Sequence, residues 1–137
     1  MLALAGCSSP PPEYQPPPGA LVAGTAQVTV NGEDAGTTEA VQCLSIGPLT
    51  TITTGDDASG VTAMVSNAAG LTAQSVGIHD LGGFTGSYNA GLGDRAGDKA
   101  KITMTGRTYD ISGTADGFHT ANPSFRVPGS FAIKVSC

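Results

Sequence analysis

Ser130-Phe131-Ala132-Ile133-Lys134-Val135-Ser136-Cys137 closes the chain, and its alternation decides the fold class. Phe131, Ile133, Val135 and Cys137 share one face of an extended strand, while Ser130, Ala132, Lys134 and Ser136 take the other. A helix, with a period of 3.6 rather than 2, would not separate these residues into two faces. Further back, Ile102 and Met104 precede Gly106-Arg107, and Tyr109 and Ile111 follow, so the stretch reads as a hairpin tightening at Gly106. Val28 and Val30 alternate in the same way with Gln27, Thr29 and Asn31. β-Branched runs bounded by glycine or Asx turns predict strands at 26–31, 39–46, 49–54, 61–66, 73–79, 84–89, 100–105, 107–112 and 130–136. Residues 94–101 have the length of a turn or two of helix, which Gly97 interrupts, and no longer stretch carries a helical period. Short strands at such spacing predict an all-β fold, an antiparallel β-sandwich over residues 25–137.

Composition agrees. The 137 residues suit one domain, and 20 glycines with 9 prolines argue against a helix bundle. Charged residues make up 12%, about half the usual share. A net charge of −5 excludes the basic footprint of a nucleic-acid binder. Residues 1–93 hold seven acids and no base, whereas all six Lys and Arg lie in the last 44 residues. No apolar run approaches the roughly 18 residues of a membrane-spanning helix.

The other end of the chain supplies an address. Leu4-Ala5-Gly6-Cys7 matches the bacterial lipobox, in which the cysteine thiol accepts a diacylglycerol and cleavage falls just before it. Small residues ahead of the cysteine let the peptidase approach the backbone. Residues 1–6 therefore read as residual signal peptide, without the n-region and most of the h-region. The plainer alternative is a free N-terminal cysteine in a disordered tail. Residues 7–24 then form the lipidated cysteine and a tether, six of the nine prolines falling at positions 10–18. Proline fixes φ and removes a donor, so residues 8–19 predict extended polyproline II spanning roughly 35 Å. A motif for an SH3-like partner is the competing reading.

With Cys7 acylated, Cys43 and Cys137 remain as an even pair in an oxidising compartment and predict a disulfide. A bridge would fix a chain end that otherwise frays, and Cys137 would carry it toward the apolar face. Two buried free thiols are the alternative. Two cysteines so far apart, with no supporting ligand cluster, do not predict a metal site.

From about residue 26 onward the chain resembles the mycobacterial nineteen-kilodalton lipoprotein antigen family. The resemblance rests on Ser75-Val76-Gly77, on Gly83 and Thr85 leading to Tyr88, and on the glycine-rich stretch 91–97. It continues through Tyr109-Asp-Ile-Ser-Gly-Thr-Ala-Asp-Gly117, Ala121-Asn122-Pro123 and Ser130–Cys137. It implies an envelope-anchored, surface-exposed β-rich antigen with no established enzymatic activity. The best-known member of that family has a Thr-rich, glycosylated linker, whereas prolines stand here, so the resemblance does not extend to linker glycosylation. No Asn-x-Ser/Thr sequon occurs, because Pro123 disqualifies Asn122-Pro-Ser.

A hydrolase needs a nucleophile, a base and an orienting acid, and only His79 and His119 are imidazoles. His79 and Asp80 are neighbours, so on a strand they face opposite ways, and His79 reads as a strand-end residue. His119 reads as a loop residue. Asp56-Asp57 and the pair Asp94 and Asp98 fall short of a calcium loop and read as a turn and a solvated loop. Gly91-Leu-Gly-Asp-Arg-Ala96 fits a dinucleotide fingerprint in letters only, without its strand–helix context. No catalytic residue, metal site or cofactor is predicted. The expectation is a non-enzymatic module on the outer face of the cell membrane, held through Cys7, for display, adhesion or host interaction. The alternative is a carrier or sensor holding a lipid or glycolipid between its sheets. Host receptors and envelope lipid are the candidate partners, and the sequence carries no sign of oligomeric state.

Overall fold

The computed structural model describes residues 20–56, 58–68, 70–90 and 100–137, and these form β-strands and no α-helix. They are β1 (Ala26–Val30), β2 (Glu33–Thr38), β3 (Val41–Ile46), β4 (Leu49–Gly55) and β5 (Gly60–Ser66). After them come β6 (Thr72–Leu81), β7 (Phe84–Asn89), β8 (Lys101–Thr105), β9 (Thr108–His119) and β10 (Val127–Ser136). Every pairing between them is antiparallel.

Turn chemistry sets the hairpins. Asn31 and Gly32 both have positive φ (54° and 81°), the signature of a two-residue type I′ turn, and they join β1 to β2. Gly106, at φ 61°, opens the two-residue turn between Thr105 and Thr108, as the sequence predicts.

Neighbouring strands run in the order β2-β1-β10-β9-β7-β6-β5-β4-β3, with β8 paired to β9 off this path. Six steps separate β10 from β3, which in a flat sheet would be about 29 Å at roughly 4.8 Å per step. The Cα atoms of Cys43 on β3 and Cys137 just after β10 are 6.0 Å apart. Accumulated twist has therefore curled the sheet until its β3 end returns to β10. The result is an antiparallel sandwich close to a closed barrel.

The inner faces of both halves share one core. Val28, Val30, Ile52, Val61, Val65, Val76, Ile78, Phe84, Ile111, Phe131, Ile133 and Val135 are all buried in it. The faces read from the last strand hold, with Phe131, Ile133 and Val135 inward. Tyr88 packs on Phe131 with ring centroids 6.3 Å apart, and its hydroxyl accepts a hydrogen bond from Ala100 N–H at 3.0 Å. Phe84 is wholly buried against backbone. A Cβ on Gly129 would lie 2.6 Å from Phe84 Cζ, and one on Gly86 would lie 2.7 Å from it.

That packing explains where strands depart from expectation. Gly113 and Gly117 read as turn formers, yet both lie inside β9, which runs on to residue 119 instead of stopping at 112. A Cβ on Gly113 would stand 3.1 Å from Phe131 Cζ, and one on Gly117 would run into the Thr85 carbonyl and Gly86 Cα. These glycines serve close approach rather than turning. β10 likewise begins at Val127, earlier than expected. β2, Glu-Asp-Ala-Gly-Thr-Thr, is absent from the sequence expectation because its first four residues are ones that strands disfavour. It lies at the end of the sheet, where charged side chains discourage further pairing.

The segment leading into β1 is bound beside the C-terminus. Gly24 N–H donates to Ser136 O (2.8 Å) and Ser136 N–H donates to Thr25 O (2.9 Å). Leu21 N–H donates to the buried Thr108 Oγ1 at 2.9 Å.

Candidate functional site

Register builds a site that no single strand contains. Gln42, Thr53, Thr62, Gly77, Ser87 and Asp116 are successive pairing partners from β3 to β9. Thr53, Thr62, Gly77 and Asp116 each stand between two buried neighbours, Ser87 precedes the buried Tyr88, and the exposed Gln42 pairs with Thr53, so this row faces outward. A second outward row holds Gly55, Gly60, His79, Thr85 and Phe118. Between them they line an open groove of about 970 Å³, with Glu39, Asp56 and Arg126 also at its margins. Val61 and Ile78 reach it through their backbone, their side chains being buried in the core.

Around the rim, local geometry is fixed by short-range bonds. Asp56 Oδ1 accepts from Ala58 N–H and Ser59 N–H, both at 2.9 Å, closing the turn from β4 to β5. Asp80 takes a positive φ of 47° at a bulge in β6, its N–H donating to Thr85 Oγ1 at 3.0 Å and its carbonyl accepting from Ser59 Oγ at 2.8 Å. The bulge breaks the simple alternation that would turn His79 and Asp80 to opposite faces, and both are exposed.

The expected site residues fall as follows. Cys43 and Cys137 are bonded to each other. Cys137 is half-buried against the core while Cys43 is exposed, so the bridge sits at the rim of the core and not within it. Cys7 and the tether lie outside the described residues, as do Asp57, Asp94, Asp98 and the stretch 91–96. His79 lies in β6, two residues from its end, on the groove. His119 is the last residue of β9, paired with Phe84, and not in a loop. Its ring meets Phe84 edge-on at 6.4 Å. Neither imidazole hydrogen-bonds to a carboxylate or a hydroxyl among the described residues. Among the described residues no three His, Cys, Asp or Glu are grouped to hold a metal, and no helix is long and apolar enough to cross a membrane.

The outward row is the feature that sequence reasoning missed. Its members lie on six strands, and each is an unremarkable polar or small residue on its own. Only the outward phase of each strand, matched through the pairing register, could have joined them. A smaller hollow of about 290 Å³ lies beside Ala73, Tyr88, Ala90, Ala100 and Ile102.

A single curled antiparallel sheet, tied at its margin by one disulfide and bearing a polar groove outside its core, defines a small β-domain of the disulfide-stapled kind. Comparison with known proteins gives the family. Residues 19–137 match the family described as Mycobacterium 19 kDa lipoprotein antigen, and the chain belongs to it. A protein of Mycobacterium indicus pranii is 38% identical over 135 residues, covering 98% of this chain and 88% of its own. Lipoprotein LpqH of Mycobacterium tuberculosis (strain H37Rv) is 34% identical over 120 residues, covering 88% of this chain and 72% of its own. Lipoprotein LpqH of Mycobacterium avium is 34% identical over 115 residues, covering 84% and 69%. The nineteen-kilodalton resemblance read from the motifs is thus the family of the chain.

Proposed function

We propose that the chain is a lipid-anchored cell-envelope antigen that works by exposed display, adhesion or contact with host receptors, without catalysis. In this reading Cys7 carries the lipid, residues 8–19 hold the β-domain off the outer face of the membrane, and residues 25–137 are what is presented. The observation that carries it is Leu4-Ala5-Gly6-Cys7 at the head of a chain whose family is named for lipoprotein antigens. The Cys43–Cys137 bond supports an exported destination, since such bonds persist in oxidising compartments. The carrier reading has less support: the hollow of about 290 Å³ is at the low end for a ligand pocket, and the larger groove opens on polar side chains.

Replacing Cys7 by serine tests the anchor. The expected result is that Cys7→Ser moves the protein from the membrane to the soluble fraction and abolishes labelling by an alkynyl fatty acid. Continued membrane retention with the label intact would overturn the reading.

A further inference from the structure

One glycine stands out because the fold does not need it. Gly77 lies inside β6 with no left-handed φ. A Cβ there would meet only the Thr62 carbonyl oxygen, at an ordinary 3.8 Å. Gly60, Gly86 and Gly117, on the neighbouring rows, would each collide with backbone or with Phe84. Glycine inside a strand weakens it, and one use that justifies it is to leave room for a ligand to approach closely. Gly77 forms the bare middle of the outward row, between Thr62 and Ser87.

We propose that this groove binds a neutral carbohydrate chain laid across the strands, with Gly77 leaving the floor open for it. The chemistry of the row argues for the class of ligand. Gln42, Thr53, Thr62, Ser87 and Asp116 have side chains without a partner in the protein, among the described residues. A hydroxyl both donates and accepts, which is what successive sugar hydroxyls require. Row neighbours are spaced by the strand separation of about 4.8 Å, close to the length of one sugar unit. Asp116 and Phe118 lie two residues apart on β9 and share the outward face. Together they offer a carboxylate for paired hydroxyls beside an aromatic surface for the C–H side of a ring.

Other classes fit less well. Glu39, Asp56 and Asp116 face a single guanidinium, Arg126, so the groove disfavours phosphate or carboxylate groups. An acyl chain would find few apolar side chains besides Phe118, since those of Val61 and Ile78 are turned into the core. The inference is independent of whether Cys7 is acylated.

The test uses the whole chain, labelled for amide NMR and titrated separately with maltoheptaose, a mannohexaose, an arabinan oligosaccharide and, as anionic control, polygalacturonate. At least one neutral probe should bind at millimolar concentration or better and shift the amides of Thr62, Gly77 and Ser87. Gly77→Leu should weaken that binding about tenfold or more without lowering the thermal midpoint. Asp116→Asn and Phe118→Ala provide a second check that does not alter the glycine, and each should weaken it too. Absence of binding by all three neutral probes, preference for polygalacturonate, or binding unaffected by Gly77→Leu and Asp116→Asn would each overturn the proposal.

Discussion

Gly129→Ala places a methyl group against Phe84, the most enclosed ring among the described residues. The new Cβ would stand 2.6 Å from Phe84 Cζ, 2.7 Å from Cε1 and 2.8 Å from Cε2. Normal contact requires at least 3.4 Å, so about 0.6–0.8 Å must be found at each of three atoms. Phe84 has no exposed surface into which to retreat, and Gly86, two residues on in the same strand, lies close against its ring. Overpacking of this kind costs about 1–3 kcal/mol. Gly129 has no left-handed φ, so alanine also narrows the unfolded ensemble and returns about 0.4–1 kcal/mol. The net expectation is a loss of about 1–2 kcal/mol.

Phe84→Leu supplies the decisive comparison, because leucine lacks Cζ and both Cε atoms. Alone it costs part of what a Phe→Ala change costs, under about 3 kcal/mol. In that background Gly129→Ala meets no ring, and its sign should reverse to a gain of about 0.4–1 kcal/mol. Urea unfolding of the four proteins measures this, with the midpoint moving and the slope constant. If Gly129→Ala costs the same in both backgrounds, within about 0.5 kcal/mol, the ring-on-glycine account is wrong.

Two further outcomes follow from the described geometry. Removing the Cys43–Cys137 bond, by reduction or by paired serine substitution, frees a loop with a sequence separation of 94, worth up to about 4.7 kcal/mol in the chain-entropy treatment. Urea unfolding with and without reductant reads it, and an unchanged midpoint would show that the bond adds nothing to a sheet already closed. Asp56→Ala removes the acceptor of two backbone N–H bonds at 2.9 Å and should cost about 1 kcal/mol by thermal unfolding. A loss below the measurement error would mean water replaces the carboxylate without penalty.

What the sequence made legible was whatever depended on the chain's own periodicity. Phe131, Ile133 and Val135 alternate with Ala132 and Lys134 because one face of β10 meets the core, and that pattern needs no partner to be read. The hairpin about Gly106 was equally local. The second half of β9 was hidden because Gly113 and Gly117 answer to Phe131 and Phe84, which lie far off in sequence. β2 was hidden for the opposite reason: an exposed strand at the end of the sheet has little packing to record in its residues. Lys134 and Asp110 stand opposite each other in register, yet no ion pair joins them. The separation of acids from bases along the chain therefore does not resolve into a salt bridge at this contact. The groove was illegible in principle, since six strands must be paired before its floor exists.

The way the first described residues join the sheet has a mechanical consequence. The segment 20–25 passes directly into β1, which is flanked by β2 on one side and β10 on the other. A pull along that segment, resisted at the opposite end of β1's neighbours, loads the bonds on both sides of β1 together, in shear. The opposite flank cannot yield by peeling, because the end of β10 is riveted through Cys137 to β3, at the far margin of the sheet. Tension entering at residue 20 is thus shared across the sheet before any strand gives way. A domain so fastened can be held from one end while its outer face is gripped from elsewhere.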